Sequence, residues 1–343
     1  MAGRKTFRKV ITSDELIASI NPENVKLMNR FLKNFATKRS PKSVVVYQSN
    51  LNIFFCYCVE NLDNKAFKDL RKLDFLDFFD YALEELKWSP ARFSQMVSCL
   101  SSFSDWIETY YDEVDGYENF RNLVKKIEKP AKEAVREKTV LTEEDMDKLF
   151  NALKESGRIQ EQCLLALAIS CGARVSELAR FTTDIIDENN TVFDGLFLKT
   201  TEKIVTKGRG TGGKKLNKFI LKDMFLPYYK EWLPVREQIM KETGQDHNYL
   251  FITKDGKPAN ADRLRDWVGT WSNIVGQPMF PHCLRHYQIS LMKRLKIDDN
   301  LIVYLTGWAE GSGHNMIAIY NDNEITDEEF DCLSNLKNFL NNK

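Results

Sequence analysis

Behind Ser40-Pro41 the chain sets Val44, Tyr47, Leu51, Phe54, Phe55 and Cys58 at helical spacing. Behind Ser89-Pro90 it does the same with Phe93, Met96, Val97, Leu100, Phe103 and Trp106. Apolar residues recurring every three or four positions put one stripe of a helix into a core. Each stripe is preceded by a serine able to cap the first turn and a proline whose fixed φ suits it. The pattern over 21–115 predicts a bundle of four or five helices. Residues 1–20 precede it as a basic arm carrying Arg4, Lys5, Arg8 and Lys9. Residues 116–138 turn polar and charged around Pro130 and read as an interdomain linker.

A second domain is expected over 139–322. Thr142 and Asp145 have the spacing of a reciprocal helix cap, and a helix follows them. The next helix, around Cys163 to Ile169, is apolar on every side and therefore central. Strand-like runs come at Thr191–Leu198, Lys203–Thr206 and Lys218–Leu221, with a hairpin at Gly208–Gly213 between the last two. From Pro227 onward the reading is mainly helical. Residues 323–343 read as a tail helix capped by Thr326 and Glu329, with Phe330, Leu333, Leu336, Phe339 and Leu340 on one face. That face suits its own domain and a neighbouring protomer equally. The fold class is mainly α with a small β-sheet and hairpin.

At 343 residues the chain exceeds what one core usually holds, in keeping with two domains. It has no apolar run long enough to span a membrane. Seven scattered cysteines without framework spacing suggest reduced thiols in a cytoplasmic protein, most of them packed in cores. Cys56 and Cys58 face different ways on a helix, which argues against a zinc site. Basic and acidic residues balance at 49 each, so net charge gives no general affinity for nucleic acid. Their distribution does. Lys203, Lys207, Arg209, Lys214, Lys215, Lys218 and Lys222 run without an intervening acid. Lys125, Lys126, Lys129, Lys132, Arg136 and Lys138 form a second cluster. A positive face can exist on a neutral chain. Lys125, Lys126, Lys129, Arg209, Lys214 and Lys215 are the candidates for DNA contact.

Three segments carry candidate chemistry. At Cys171-Gly172-Ala173-Arg174 an apolar helix stops and another starts at once, so Arg174 sits on a tight turn at a helix N-terminus. Both features favour anions, although Arg174 could equally serve as a partner for Glu177. In Pro281-His282-Cys283-Leu284-Arg285-His286, His282 and Arg285 are neighbours on one helical face. They pair a proton-transfer group with a bidentate phosphate donor. His282 and His286 also have zinc-ligand spacing, but no acidic residue completes a motif, and no metal is expected. In Leu305-Thr306-Gly307-Trp308 a helix ends, a glycine-rich loop containing His314 follows, and Tyr320 closes the apolar run Ile317-Ala318-Ile319. Taken alone, Tyr320 reads as a core residue.

In their order along the chain, these segments resemble the tyrosine recombinase family, the phage-type integrases. The resemblance runs from Leu141 to Asn321; the N-terminal helices agree in kind with that family's DNA-clamping core-binding domain. It implies a helical core-binding domain followed by a mixed α/β catalytic domain. It implies a site-specific recombinase or integrase that cuts and rejoins double-stranded DNA through a 3′-phosphotyrosine, with no metal, nucleotide or other cofactor. It further implies a homotetramer on paired recombination sites, a monomer or weak oligomer when free, and a nucleoid-associated protein of bacterial, phage or mobile-element origin. Matched residue by residue, Arg174 and Arg285 would hold the scissile phosphate. Lys207 would protonate the leaving oxygen, with Lys203, Lys214 and Lys215 as hairpin alternatives. His282 would assist proton transfer, Trp308 would buttress the pocket, and Tyr320 would be the nucleophile. The stretch from Trp308 to Tyr320 is longer than the family usually has, so His314 is the alternative to Trp308. Two other readings share these residues: a metal-free tyrosine topoisomerase of the IB type, and a DNA-binding regulator with a decayed site.

Overall fold

The computed structural model describes residues 11–131, 139–206, 213–307 and 333–342. They form two compact units, one of residues 11–131 and one of residues 139–206, 214–307 and 333–342. Among the described residues no helix is long and apolar enough to cross a membrane.

The first unit is helical throughout: α1 Asp14–Ala18, α2 Pro22–Ala36, α3 Pro41–Asn61, α4 Lys72–Glu84 and α5 Pro90–Tyr110. The Ser40 and Ser89 hydroxyls accept from Ser43 N–H and Arg92 N–H, each at 3.3 Å, so the two Ser-Pro starts behave as caps. The apolar stripes meet in an aromatic core. Phe67 and Phe103 lie edge to face at 4.8 Å, and Phe54 and Phe78 at 5.0 Å. Asn24 is the polar pin of this core. Its side chain accepts from Phe67 N–H at 2.7 Å and donates to the Lys65 carbonyl at 2.9 Å, fixing the α3–α4 connection. Two boundaries differ from the sequence pattern. The presumed arm already contains α1, and Ile20 is buried in the core; Arg4, Lys5, Arg8 and Lys9 lie outside the described residues. The presumed linker sends Tyr117 and Val124 into the same core, because these apolar residues are spaced among charged ones that stay in solvent.

The second unit is built on α7 (Ile159–Cys171), whose residues from Gln162 to Cys171 are all buried. Around it lie α6 (Glu143–Glu155), α9 (Lys222–Thr243) and α12 (Pro281–Arg294), with α8 (Val175–Leu178), α10 (Ala261–Thr270), α11 (Ser272–Val275) and α13 (Asp299–Thr306) beside them. Full burial of each leucine in α7 contributes about 1.5–3 kcal/mol, so this helix is the anchor of the unit. Thr142 and Asp145 cap α6 reciprocally, as their spacing requires. The six described cysteines, Cys56, Cys58, Cys99, Cys163, Cys171 and Cys283, are buried free thiols, and Cys332 lies outside the described residues.

The strands depart from expectation in two ways. Thr191–Leu198 is not one strand. It is a hairpin, β1 (Thr191–Val192) against β2 (Phe197–Lys199), turned through Phe193, Asp194 and Gly195, all at positive φ. The glycine-rich hairpin joins β3 (Ile204–Thr206) to β4 (Lys214–Leu216), whereas β5 (Phe219–Leu221) pairs with β2. β5 is buried along its length and needs a partner inside the core, while β4 carries Lys214 and Lys215 at the rim. The described tail helix, Ser334–Asn341, lies on its own unit. Leu333 and Leu336 enter a core shared with Leu301, Ile302 and Leu305 of α13, and Lys337 pairs with Asp194 at 2.8 Å. Thr326, Glu329 and Phe330 lie outside the described residues.

Candidate active site

α7 stops at Gly172 with φ of 56°, a left-handed conformation that glycine adopts without a steric penalty. Space demands glycine as well. A Cβ there would lie 2.1 Å from Gln288 Oε1 and 3.3 Å from Thr306 Cγ2. The end of α7 is thereby pressed against α12 and the C-terminal turn of α13. Two residues on, Arg174 caps α8 in extended conformation. The sequence brings the first arginine segment and the histidine–arginine segment into one place through this close approach.

Arg174 is held by Glu177. The Glu177 carboxylate accepts the Arg174 backbone N–H at 3.1 Å and its guanidinium at 3.0 Å. Lys218 Nζ donates to the same carboxylate at 2.6 Å. Glu177 and Lys218 side chains are 0% exposed, whereas Arg174 keeps 25% exposure. Burial would raise the Glu177 carboxyl, but Lys218 and then Arg174 outweigh it and hold the pKa below the usual 4.5. The pairing expected as the plain alternative for Arg174 therefore exists, and it leaves the guanidinium reachable from solvent.

Arg285 lies on α12, behind Pro281 in its first turn. It is 3% exposed. Nη1 donates to the Gly172 carbonyl and, at 3.4 Å, to that of Thr306; Nη2 has no partner among the described residues. A buried charged donor without an acceptor is costly, so Nη2 is suited to donate to an anion. Burial and then the like charge of Arg174 pull the Arg285 pKa down to about 10, so it stays charged at neutral pH. The two guanidiniums therefore sense each other's charge. His282, one turn before Arg285, senses both.

The His282 ring is solvent-accessible and lies edge to face with His286 at 4.4 Å. Partial burial, then Arg285, then Arg174 lower its pKa below 6.5. A folded-state pKa below the unfolded value means that protonation is resisted: the neutral form persists as pH falls through 6.5 and is lost only lower down. Any reaction that uses the neutral imidazole should therefore hold its rate down through about pH 6.5 and fall beneath it. His282→Gln should be slower and lose that acid limb. A wild-type limb centred above the ordinary imidazole value contradicts a neutral working form. Among the described residues no group of three or more His, Cys, Asp or Glu is arranged to hold a metal.

Arg174, Arg285 and His282 are thus brought together. Lys207, Arg209, Trp308, His314 and Tyr320 lie outside the described residues, as do Lys132, Arg136 and Lys138. Lys214 and Lys215 stand on β4, half-buried and exposed respectively, and Lys203 is exposed before β3. Lys125, Lys126 and Lys129 are exposed on the first unit. Sequence reasoning assigns no place to Gln288 and counts Lys218 merely as one more basic residue. The available signal for Lys218 is its position against Phe219-Ile220-Leu221, where a strand about to enter the core begins with a charge.

The sequence model of the phage integrase family matches residues 139–326, more than half of the chain. A SPbeta prophage-derived recombinase-like protein, YomM of Bacillus subtilis (strain 168), is 26% identical over 296 residues, covering 83% of this chain and 84% of that protein. Among solved structures, the XerH site-specific recombinase bound to palindromic difH substrate in a post-cleavage complex aligns with a TM-score of 0.62 at 16% identity, over 84% of this chain and 91% of that one. A lambda integrase tetramer bound to a Holliday junction aligns with a TM-score of 0.57 at 17% identity, over 91% and 86%. The likeness to the solved structures is one of fold, and the family match falls on the segments that carry Arg174, His282 and Arg285. The chain belongs to the phage integrase family, the tyrosine recombinases.

Proposed function

We propose that the protein is a site-specific recombinase that cuts and rejoins double-stranded DNA through a 3′-phosphotyrosine on Tyr320, without metal or nucleotide. The observation that carries this reading is the buried Arg285, whose Nη2 has no partner among the described residues, within the field of Arg174 and acting in turn on His282. A phosphodiester supplies the anion such a site lacks. As the phenol attacks, charge grows on the non-bridging oxygens, and two fixed guanidiniums stabilise it most at the transition state. Neutral His282 assists proton movement. Lys207 protonates the departing deoxyribose oxygen, and Trp308 buttresses the pocket, with His314 as its alternative. The covalent link conserves the phosphoester bond, so rejoining is the same step reversed.

Under this reading the first unit clamps DNA, with Lys125, Lys126 and Lys129 contributing phosphate contacts, and Arg209, Lys214 and Lys215 contribute from the hairpin. The protein works as a homotetramer on paired sites. A nucleoid-associated role in a bacterium, phage or mobile element fits it.

The test begins by selecting a binding site from random duplex DNA. The full-length protein is then incubated with that duplex nicked beside the cleavage position, in EDTA. A denaturation-resistant adduct whose DNA-bearing peptide maps to Tyr320 is expected. Tight binding without an adduct would instead favour the regulator reading. Relaxation of plasmids lacking the selected site, without recombination, would favour a topoisomerase.

A further inference from the structure

The proposed cleavage needs Arg174 held still, but it does not account for a fully buried lysine beside it. Lys218 stands between β4 and β5. Its backbone N–H donates to Thr200 Oγ1 at 3.0 Å, and its carbonyl accepts from Thr200 N–H at 2.9 Å. Its Nζ reaches inward to Glu177 Oε2 at 2.6 Å, and both side chains are wholly buried. The same ammonium lies beside Gly307, where an added Cβ would be 3.4 Å from Nζ. That glycine ends α13, whose carbonyl end attracts cations, and it immediately precedes Trp308. Desolvating a lysine is costly and is sustained only by a well-placed carboxylate. Removing Glu177 leaves Lys218 as an uncompensated buried charge, and removing Lys218 leaves the buried carboxylate with the partly exposed Arg174 as its remaining ion-pair partner.

We propose that Lys218 is a positioning residue for strand cleavage: its buried ammonium keeps the Glu177 carboxylate charged, and that carboxylate fixes the Arg174 guanidinium at the scissile phosphate. The inference rests on the recombinase reading. Its physical basis is the division of one carboxylate between two cations. Oε2 takes the Lys218 ammonium, and Oε1 takes the Arg174 guanidinium. Without Lys218, burial favours a proton on Glu177. A protonated carboxyl gives up its charge and part of its acceptor capacity toward Arg174.

The groups that reach Glu177 are Lys218, Arg174 on its own turn, Arg285 from α12 and the Cys171 thiol from α7. α10 also packs on α8, but its Asp262, Arg263, Arg265 and Asp266 are exposed. β3, the third neighbour, has no titratable side chain.

The full-length wild type, K218M, K218Q, E177Q and E177Q/K218M are compared in two series between about pH 8.5 and about pH 5.5. One measures single-turnover adduct formation on the nicked selected duplex. The other measures urea unfolding without DNA. In the lysine variants the rate falls with pH where wild type is still level, approaching about tenfold per pH unit. E177Q and E177Q/K218M show equal rates and lack that limb, because Lys218 acts through Glu177.

The unfolding series carries a distinct sign. Wild-type Glu177 has a folded pKa below 4.5, so its stabilising contribution is complete above that value and lost as pH falls through the folded one. In K218M and K218Q the folded pKa is raised, so stability is lowest at high pH and recovers as pH falls. Replacing Glu177 removes this slope. A general loss of stability with unchanged pH profiles of rate and unfolding overturns the proposal. So does an E177Q/K218M variant about tenfold slower than E177Q. If K218M does not fold, K218Q, which retains a donor, reads the same two profiles. If wild type forms no adduct, it is the recombinase reading that fails, and the unfolding series still decides whether Lys218 keeps Glu177 charged.

Discussion

Arg285→Ala should lower single-turnover adduct formation by about a thousandfold or more while leaving a folded protein. Arg285 is buried on α12 with Nη1 on the Gly172 carbonyl and Nη2 without a partner among the described residues. Nη2 therefore has a hydrogen bond to gain when a phosphate arrives. Loss of one preorganised donor to a developing oxyanion typically costs about 3–4 kcal/mol, and loss of a whole guanidinium costs at least as much. Folding is affected by opposing effects. The variant leaves the Gly172 and Thr306 carbonyls without this donor, but it also removes a desolvated charge that repels Arg174. Stability should shift by only about 1–2 kcal/mol, read by urea unfolding. Arg285→Lys should recover little of the rate, because an ammonium is a point charge and cannot bridge the Gly172 carbonyl and a phosphate as a planar fork does. A folded Arg285→Ala protein that cleaves within about threefold of wild type would remove the phosphate-clamp reading.

The turn that positions Arg174 was legible because every determinant is local. An apolar helix ends at a glycine, and a short helix capped by Arg174 begins three residues later; α7, Gly172 and α8 follow that order. The pairing of His282 with Arg285 was legible for the same reason, since helical geometry fixes neighbours three residues apart. That Arg174 and Arg285 share a site could be inferred only from the order of motifs. What brings them together is a long-range steric fact, the missing Cβ of Gly172 against Gln288 and Thr306. Periodicity carries no trace of it. The Lys218–Glu177 pair was equally hidden, because a strand's alternation says which residues face inward but not what they meet. The sequence pattern runs β1 and β2 together because Val192, Phe193, Leu196 and Phe197 are apolar on both sides of Asp194-Gly195. Hydrophobicity outweighed a genuine turn signal. The hairpin partner is hidden from the pattern for a related reason. β4 is the more polar of the two segments after the glycines, and burial decided that β5 would join β2.

Tyr320→Phe should bind the selected duplex within about threefold of wild type and form no detectable adduct. The substitution removes one oxygen and keeps the ring, so the phosphate contacts that dominate affinity are untouched. It nonetheless deletes the only atom proposed to bond to phosphorus. Four described tyrosines of the second unit, Tyr228, Tyr229, Tyr287 and Tyr304, are poor substitutes. Burial raises the pKa of Tyr228 and Tyr304, and chiefly burial pushes Tyr229 and Tyr287 up to about 12. Each is thereby held as a neutral phenol away from attack. Tyr304 is further committed to packing, its ring 5.1 Å from Phe219. A nucleophilic phenol needs the opposite environment, in which cations favour its ionisation from an ordinary pKa of about 10. In the proposed mechanism Arg174 and Arg285 supply that field, and Glu177 offsets part of the repulsion that Arg285 meets from Arg174. Binding is measured by fluorescence anisotropy at fixed salt and adduct formation by denaturing gel. Loss of both in Tyr320→Phe would mean that the tyrosine is structural. Retention of both would move the nucleophile elsewhere in the chain and leave the two guanidiniums serving a different attacking group.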